Sequence, residues 1–219
     1  MPDFSLEHAF AESLGPGAPH SGPRVIGLDE AGRGPWAGPV VAAAVWLRCE
    51  GLPAALRDGL DDSKKLTARA REALFDALQA LPPEAGAVAL GEASVEEIDR
   101  LNILQASLLA MRRAAAALPL TADAALVDGN RSPDLPCPLR TVVKGDSRSL
   151  SIAAASVIAK VSRDRTMAAL ARDHPGYGWE RNQGYGTAEH RQGIARLGVT
   201  LQHRRSFRPI RDAIAQQQN

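Results

Sequence analysis

Three apolar, strand-like segments of this sequence end in acids or just ahead of one. Val25-Ile26-Gly27-Leu28 runs into Asp29-Glu30, Ala124 to Val127 runs into Asp128, and Thr141-Val142-Val143 leads to Lys144-Gly145-Asp146. Strand ends in α/β folds gather at one edge of the sheet, where ligands bind. Four carboxylates at that edge cannot all stay ionised without a counter-charge. Hard divalent cations supply one, and Mg²⁺ takes a few carboxylates together with water and substrate phosphate.

Asp29 and Glu30 are neighbours and would face opposite sides of a regular strand. Both reach one site only if the pleat ends there, which Ala31-Gly32 permits. Asp146 sits ahead of a helix start, where the dipole favours an ionised carboxylate. Taken singly, Asp128-Gly129 also reads as a turn and Asp146 as a cap; the combination marks a site. Gly32-Arg33-Gly34-Pro35-Trp36-Ala37 imitates the dinucleotide-binding G-x-G-x-x-A. That motif needs backbone N–H groups and a helix start, whereas Pro35 has no N–H and the next segment reads as a strand.

The elements that must position these acids alternate between strand and helix. Val25–Leu28 and Val40–Leu47, joined by a Gly/Pro-rich turn, suggest a hairpin. Thr67 is an N-cap for a helix carrying Leu74, Phe75, Leu78 and Leu81, and Pro82-Pro83 stops it. Ala87 to Leu90 reads as a strand. Ser94 and Glu97 form a capping box opening a helix with Ile98, Leu101, Leu104, Leu108 and Met111. The Ala/Ile/Val-rich stretch from about Ser149 to Arg172 reads as a long buried helix, and a further helix runs from Thr187 or Ala188 to about Leu197. The fold class is α/β with a mixed sheet. We expect residues 1–23 to be a loose tail, 24–175 a catalytic core and 176–219 a loop and helical extension.

The chain has 219 residues, 45% hydrophobic and 23% charged, the proportions of a soluble globular protein. No window approaches the roughly 18 apolar residues that span a bilayer, and Met1–Gly22 lacks the pattern of a secretory signal. The two cysteines, Cys49 and Cys137, have no metal-finger spacing, so a reducing cytoplasm is expected. The net charge of +1 conceals an asymmetry. Arg140 to Arg211 holds 14 Lys and Arg against 5 Asp and Glu, while the remainder holds 12 against 20. Such a basic segment suits a polyanion partner, or else a solvated Arg-rich helical surface.

Taken in order, the motifs resemble the bacterial ribonuclease HII family. They are Asp29-Glu30-Ala31-Gly32-Arg33-Gly34-Pro35, Asp62-Ser63-Lys64-Lys65-Leu66, Asp128-Gly129, Lys144-Gly145-Asp146 and the run from Ala153 to Asp164. Gly184-Tyr185-Gly186-Thr187 and His203-Arg204-Arg205-Ser206-Phe207 complete the series, which spans about Arg24 to Phe207. The resemblance implies a ribonuclease H-like fold, a five-stranded mixed sheet flanked by helices with a small helical C-terminal extension. It implies cleavage of RNA within RNA–DNA hybrids and nicking 5′ of single ribonucleotides embedded in duplex DNA, leaving 5′-phosphate and 3′-hydroxyl ends. The cofactor would be Mn²⁺ or Mg²⁺, two ions during catalysis, held by Asp29, Glu30, Asp128 and Asp146. Two cations about 3.5–4 Å apart activate a water and stabilise the leaving 3′-oxygen, so no nucleophilic side chain is needed.

By the same resemblance, Gly32, Arg33 and Gly34 recognise the ribonucleotide, whose 2′-hydroxyl distinguishes RNA from DNA. Tyr185 stacks on the sugar of the next, deoxy nucleotide. Lys64, Lys65, Lys144 and Arg204 are candidate phosphate contacts, each equally readable as a surface charge. Ser156 and Lys160 match a family motif with either a phosphate or a packing role, and Asp164 reads as structural, paired with Lys160. Gln183 departs from the family, many of whose members have Lys there. His174 and Trp179 read as structural. The implied protein is a cytoplasmic monomer acting in ribonucleotide removal and primer or hybrid clearance. Ribonuclease HIII carries an extra N-terminal domain, ribonuclease HI lacks the Asp29–Gly34 segment, and a silent hybrid-binding module would lack one of the four acids.

Overall fold

The computed structural model describes residues 1–15 and 22–217. In chain order its elements are α1 (Ser5–Ser13), β1 (Val25–Ala31), β2 (Val40–Leu47), α2 (Ala54–Gly59), α3 (Ala68–Gln79), β3 (Gly86–Ala93), α4 (Val95–Leu101) and α5 (Ile103–Ala116). There follow β4 (Ala124–Asp128), β5 (Leu139–Val142), α6 (Leu150–Asp173), α7 (Trp179–Asn182), α8 (Ala188–Leu197) and α9 (Arg208–Gln217). One sheet of order β3-β2-β1-β4-β5 runs through the molecule, with β2 antiparallel to β1 and β3, and with β1, β4 and β5 parallel.

Three helix starts carry the caps that their sequence offers. Thr67 Oγ1 accepts the Ala70 N–H, Ser94 and Glu97 close a reciprocal capping box, and Ser149 Oγ accepts the Ile152 N–H. α6 is buried without interruption from Leu150 to Ala159, because it lies across the sheet face that carries Val45 and Leu47 while α3 covers its flank. It comes so close to β1 that a Cβ on Gly27 would fall 2.2 Å from the Ser151 carbonyl carbon. α4 and α5 cover the opposite face over Ile26, Leu28 and Val127. Beyond α6, Tyr177, Trp179, Ile194 and Ile210 form a smaller apolar cluster that docks on Ala37 and Met167.

The N-terminal expectation needs correction. Residues 5–13 are helical rather than a loose tail, and Phe4 and Phe10 are buried. Leu6, Phe10 and Leu14 recur at four-residue spacing and pack with Val25, Ala124 and Ile152. The Gly/Pro-rich part of the expected tail, residues 16–21, lies outside the described residues.

Candidate active site

The acids meet where strand pairing puts them. β1 and β4 run parallel with Leu28 beside Val127, so Asp29 and Asp128 leave adjacent strands at the same end. Leu28 and Val127 face α5, and alternation therefore turns Asp29 and Asp128 towards α6. Asp146 enters from a single 3-10 turn, Gly145–Ser147, just before α6, and the Gly145 N–H donates to Asp128 Oδ1 at 2.7 Å. Glu30 lies half-buried at the end of β1, and its N–H donates to Asp29 Oδ1 at 2.7 Å.

Electrostatically the cluster is under-compensated. Burial, then the charges of Glu30 and Asp128, hold the Asp29 carboxyl well above its ordinary value. Burial also raises Glu30, although Arg33, 3.1 Å away, opposes the shift. Asp146 is raised by burial and by the charges of Asp128 and Asp62. Lys64 Nζ stands 4.0 Å from Asp146 Oδ2 on an exposed side chain. Burial works against the Lys64 charge, but Asp62, Asp29 and Asp146 outweigh it and raise the ammonium.

The donor set is carboxylate oxygen alone, the choice of hard divalent cations. Among the described residues, no three His, Cys, Asp or Glu side chains already close around one point. Mg²⁺ keeps several of its waters and shares phosphate oxygens with its substrate, so it needs only a few such carboxylates. The residues therefore fit Mg²⁺ or Mn²⁺.

Beside the acids a groove of about 460 Å³ is lined by Asp29, Glu30, Gly32–Gly34, Lys64, Lys160 and Tyr185. Gly32 has φ +98°, and a Cβ there would meet Arg163 Nε at 1.9 Å, so no other residue fits. Tyr185 is 48% exposed and faces Gly34, whose Cβ would lie 3.2 Å from the ring. Ser156 is buried, and its hydroxyl donates to Ser63 Oγ at 2.7 Å, anchoring the loop that carries Lys64. A larger hollow of about 820 Å³ lies elsewhere, lined mainly by aliphatic side chains such as Ala115, Leu118 and Leu135, with Asp134 as its one carboxylate.

The other expected contacts divide. Lys65 is exposed and pairs with Asp61 at 3.1 Å, and Lys144 is exposed with a left-handed backbone, φ +55°. Lys160 pairs with Asp164 at 2.7 Å, as expected from their spacing. Gln183 Nε2 donates to the Glu180 carbonyl, and Trp179 is buried against His174. Arg204 is corrected outright. It is completely buried, and its four side-chain hydrogen bonds all go to backbone carbonyls of residues 32–39, because the Gly/Pro-rich turn leaves those carbonyls without a ladder partner. It cannot reach a phosphate. Sequence reading also missed Arg163 and Glu7. The available signals were a charge on the apolar face of α6, four residues after Ala159, and an acid inside the 6-10-14 apolar pattern of α1.

Sheet order, acid placement and flanking helices together define the ribonuclease H class of metal-dependent nucleases. Ribonuclease H2 from Pyrococcus horikoshii superposes with a TM-score of 0.74 at 26% identity, covering 90% of this chain and 99% of that one. The family model described as Ribonuclease HII matches residues 26–210. Ribonuclease HII of Rhodospirillum rubrum is 59% identical over 215 residues, 98% of this chain and 93% of the relative. That of Paramagnetospirillum magneticum is 59% identical over 210 residues, 96% of this chain and 97% of the relative. The chain belongs to the ribonuclease HII family, and its reaction is cleavage of the RNA strand of RNA–DNA hybrids.

Proposed function

We propose that this enzyme also nicks duplex DNA on the 5′ side of a single embedded ribonucleotide, leaving 5′-phosphate and 3′-hydroxyl ends. The observation that carries the reading is the continuity of one groove, which joins Asp29 and Glu30 to Gly32–Gly34 and to the exposed Tyr185 ring. Asp29, Glu30, Asp128 and Asp146 would hold two divalent cations, Mg²⁺ or Mn²⁺, which supply an activated water and charge stabilisation at the leaving 3′-oxygen. The related Bst-RNase HIII has been solved in complex with Mn²⁺.

The chain's own residues do the rest. Gly32–Gly34 bring backbone close to a sugar and read its 2′-hydroxyl. Tyr185 offers its ring face to the neighbouring nucleotide, while Lys64, and further out Lys65 and Lys144, meet backbone phosphates. Gly145 orients Asp128 through its N–H, and Arg33 steadies Glu30. In the same reading the protein is a monomer of the bacterial cytoplasm. None of its described helices is long and apolar enough to cross a membrane.

The test compares cleavage of matched all-DNA, RNA–DNA hybrid and single-ribonucleotide duplexes with Mg²⁺ or Mn²⁺. We expect cutting of the second and third and none of the first. Cutting of hybrid alone would refute the embedded-ribonucleotide reading.

A further inference from the structure

Arg163 and Arg204 are the largest charged side chains in the interior, 1% and 0% exposed, and neither forms an ion pair with a described residue. Burying an uncompensated guanidinium costs several kcal/mol, so something must hold it. Here seven hydrogen bonds do, all to carbonyl oxygens. Arg163 donates to Pro39, Gln183 and Ala37 at 3.0, 3.0 and 3.1 Å. Arg204 donates to Gly38, Arg33, Gly32 and Pro39 at 2.9, 3.1, 2.6 and 3.0 Å. Five of the six carbonyls belong to residues 32–39, the turn between β1 and β2.

In a planar trans peptide the C=O of one residue and the N–H of the next point in opposite directions, and the described residues contain no cis bond. With the Gly32 and Arg33 carbonyls turned in to Arg204, the N–H groups of Arg33 and Gly34 point away from it. Arg33 and Gly34 line the groove beside Asp29. No described residue accepts a hydrogen bond from either amide. Two successive outward N–H groups over a buried double positive charge form a site for a hydroxyl oxygen or a phosphate oxygen.

We infer that Arg163 and Arg204 are the positioning residues for ribonucleotide selection. They turn the 32–39 carbonyls inward, so that the Arg33 and Gly34 amides are presented to the sugar and phosphate of the ribonucleotide. The inference rests on Gly32–Gly34 being the ribonucleotide-reading loop. Lysine cannot replace either arginine, because its three donors diverge from one nitrogen whereas the guanidinium fork serves up to four carbonyls here.

The experiment measures binding of fluorescein-labelled duplexes by anisotropy, all in an Asp29→Asn background so that the substrate is not consumed. The probes are a single-ribonucleotide duplex and its all-DNA match. The parent should favour the ribonucleotide duplex by about tenfold, equivalent to about 1.4 kcal/mol. Arg204→Lys and Arg163→Lys should reduce that preference to less than about twofold while affinity for all-DNA duplex stays within twofold of the parent. A purely structural role would weaken both duplexes alike. Retention of the preference in both variants overturns the assignment. Loss of the native fold in both does so too, because residues that only position a loop are not required by the core. A parent without any preference refutes the loop reading itself, and the inference with it.

Discussion

The Glu7 carboxylate receives the Ser151 N–H at 2.9 Å and the Ser151 hydroxyl at 2.7 Å on the same oxygen, Oε1. Ser149 Oγ donates to that oxygen as well, at 2.6 Å. An acid from α1 thus neutralises the start of α6, three residues beyond Asp146, where helical N–H groups lack partners and the dipole is positive. The Asp3 carbonyl adds a bond from the Leu150 N–H. Glu7→Ala should cost about 2–3 kcal/mol, the scale of hydrogen bonds to a charged acceptor, and lower Tm by roughly 4–12 °C. Because the Asp146 turn leans on this junction, half-maximal activity should also require more Mn²⁺. A thermal melt and a metal titration check both, and Glu7→Gln, which keeps an acceptor oxygen, should fall between.

Asp29→Asn removes one charge from a crowded, buried edge. Cleavage of hybrid substrate should drop at least a hundredfold, and Asp146→Asn should do the same. Without metal, however, the Asp29→Asn protein should melt higher than the parent, because burial and the Glu30 and Asp128 charges all disfavour the carboxylate. Mn²⁺ should raise the parent's Tm and leave that of the variant nearly unchanged. Wild-type cleavage rates in both variants would remove these acids from the mechanism.

How much of this is legible in the sequence depends on what each feature obeys. Strand ends are marked by local apolar runs, so Asp29, Asp128 and Asp146 stand out from their neighbours in the chain alone, as does the cap at Ser94. Spatial order of strands needs the whole chain, and only the Leu28–Val127 register shows that Asp29 and Asp128 leave adjacent strands. Arg204 misleads because a charge in a basic segment normally faces water, whereas here a distant turn with unpaired carbonyls draws it inside. α1 is obscured by the glycines and prolines that follow it, although Leu6, Phe10 and Leu14 carry helical spacing.

Tyr185 and Gly34 face one another across the groove, so each constrains the other. If the ring supports the nucleotide beside the ribose, Tyr185→Ala should slow nicking at an isolated ribonucleotide by about tenfold or more, the scale of one base-stacking contact. Long hybrids, which offer many alternative registers, should suffer less. Tyr185→Phe should retain most activity, because the ring face and not the hydroxyl does the work. Equal loss on both substrates would make Tyr185 a general binding residue.

Two buried histidines behind Tyr185 make the fold sensitive to acid. The Tyr185 carbonyl can only accept, so His190 Nδ1, 3.0 Å away, carries the proton and His190 Nε2 is an acceptor. That nitrogen receives the Trp179 indole N–H at 3.0 Å and faces His203 Nε2 at 3.1 Å. His203 Nδ1 accepts the Thr200 N–H at 3.0 Å, which leaves His203 Nε2 as the donor. Both rings are therefore neutral, and a proton added to either would set N–H against N–H or abolish an acceptor. Burial, then the repulsion that a protonated His190 would exert, pull His203 from its ordinary 6.5 down to about 3, and burial lowers His190 as well. The unfolded chain takes up these protons below pH about 6.5 while the folded protein does not, so stability falls as pH drops from there towards 3. His203 alone should account for about 2 kcal/mol between pH 7.5 and pH 5. Urea midpoints at those two pH values test this. His203→Gln should lower stability at pH 7.5 yet show a smaller further loss at pH 5 than the parent. Parallel losses in the two proteins would mean that His203 does not carry the acid sensitivity.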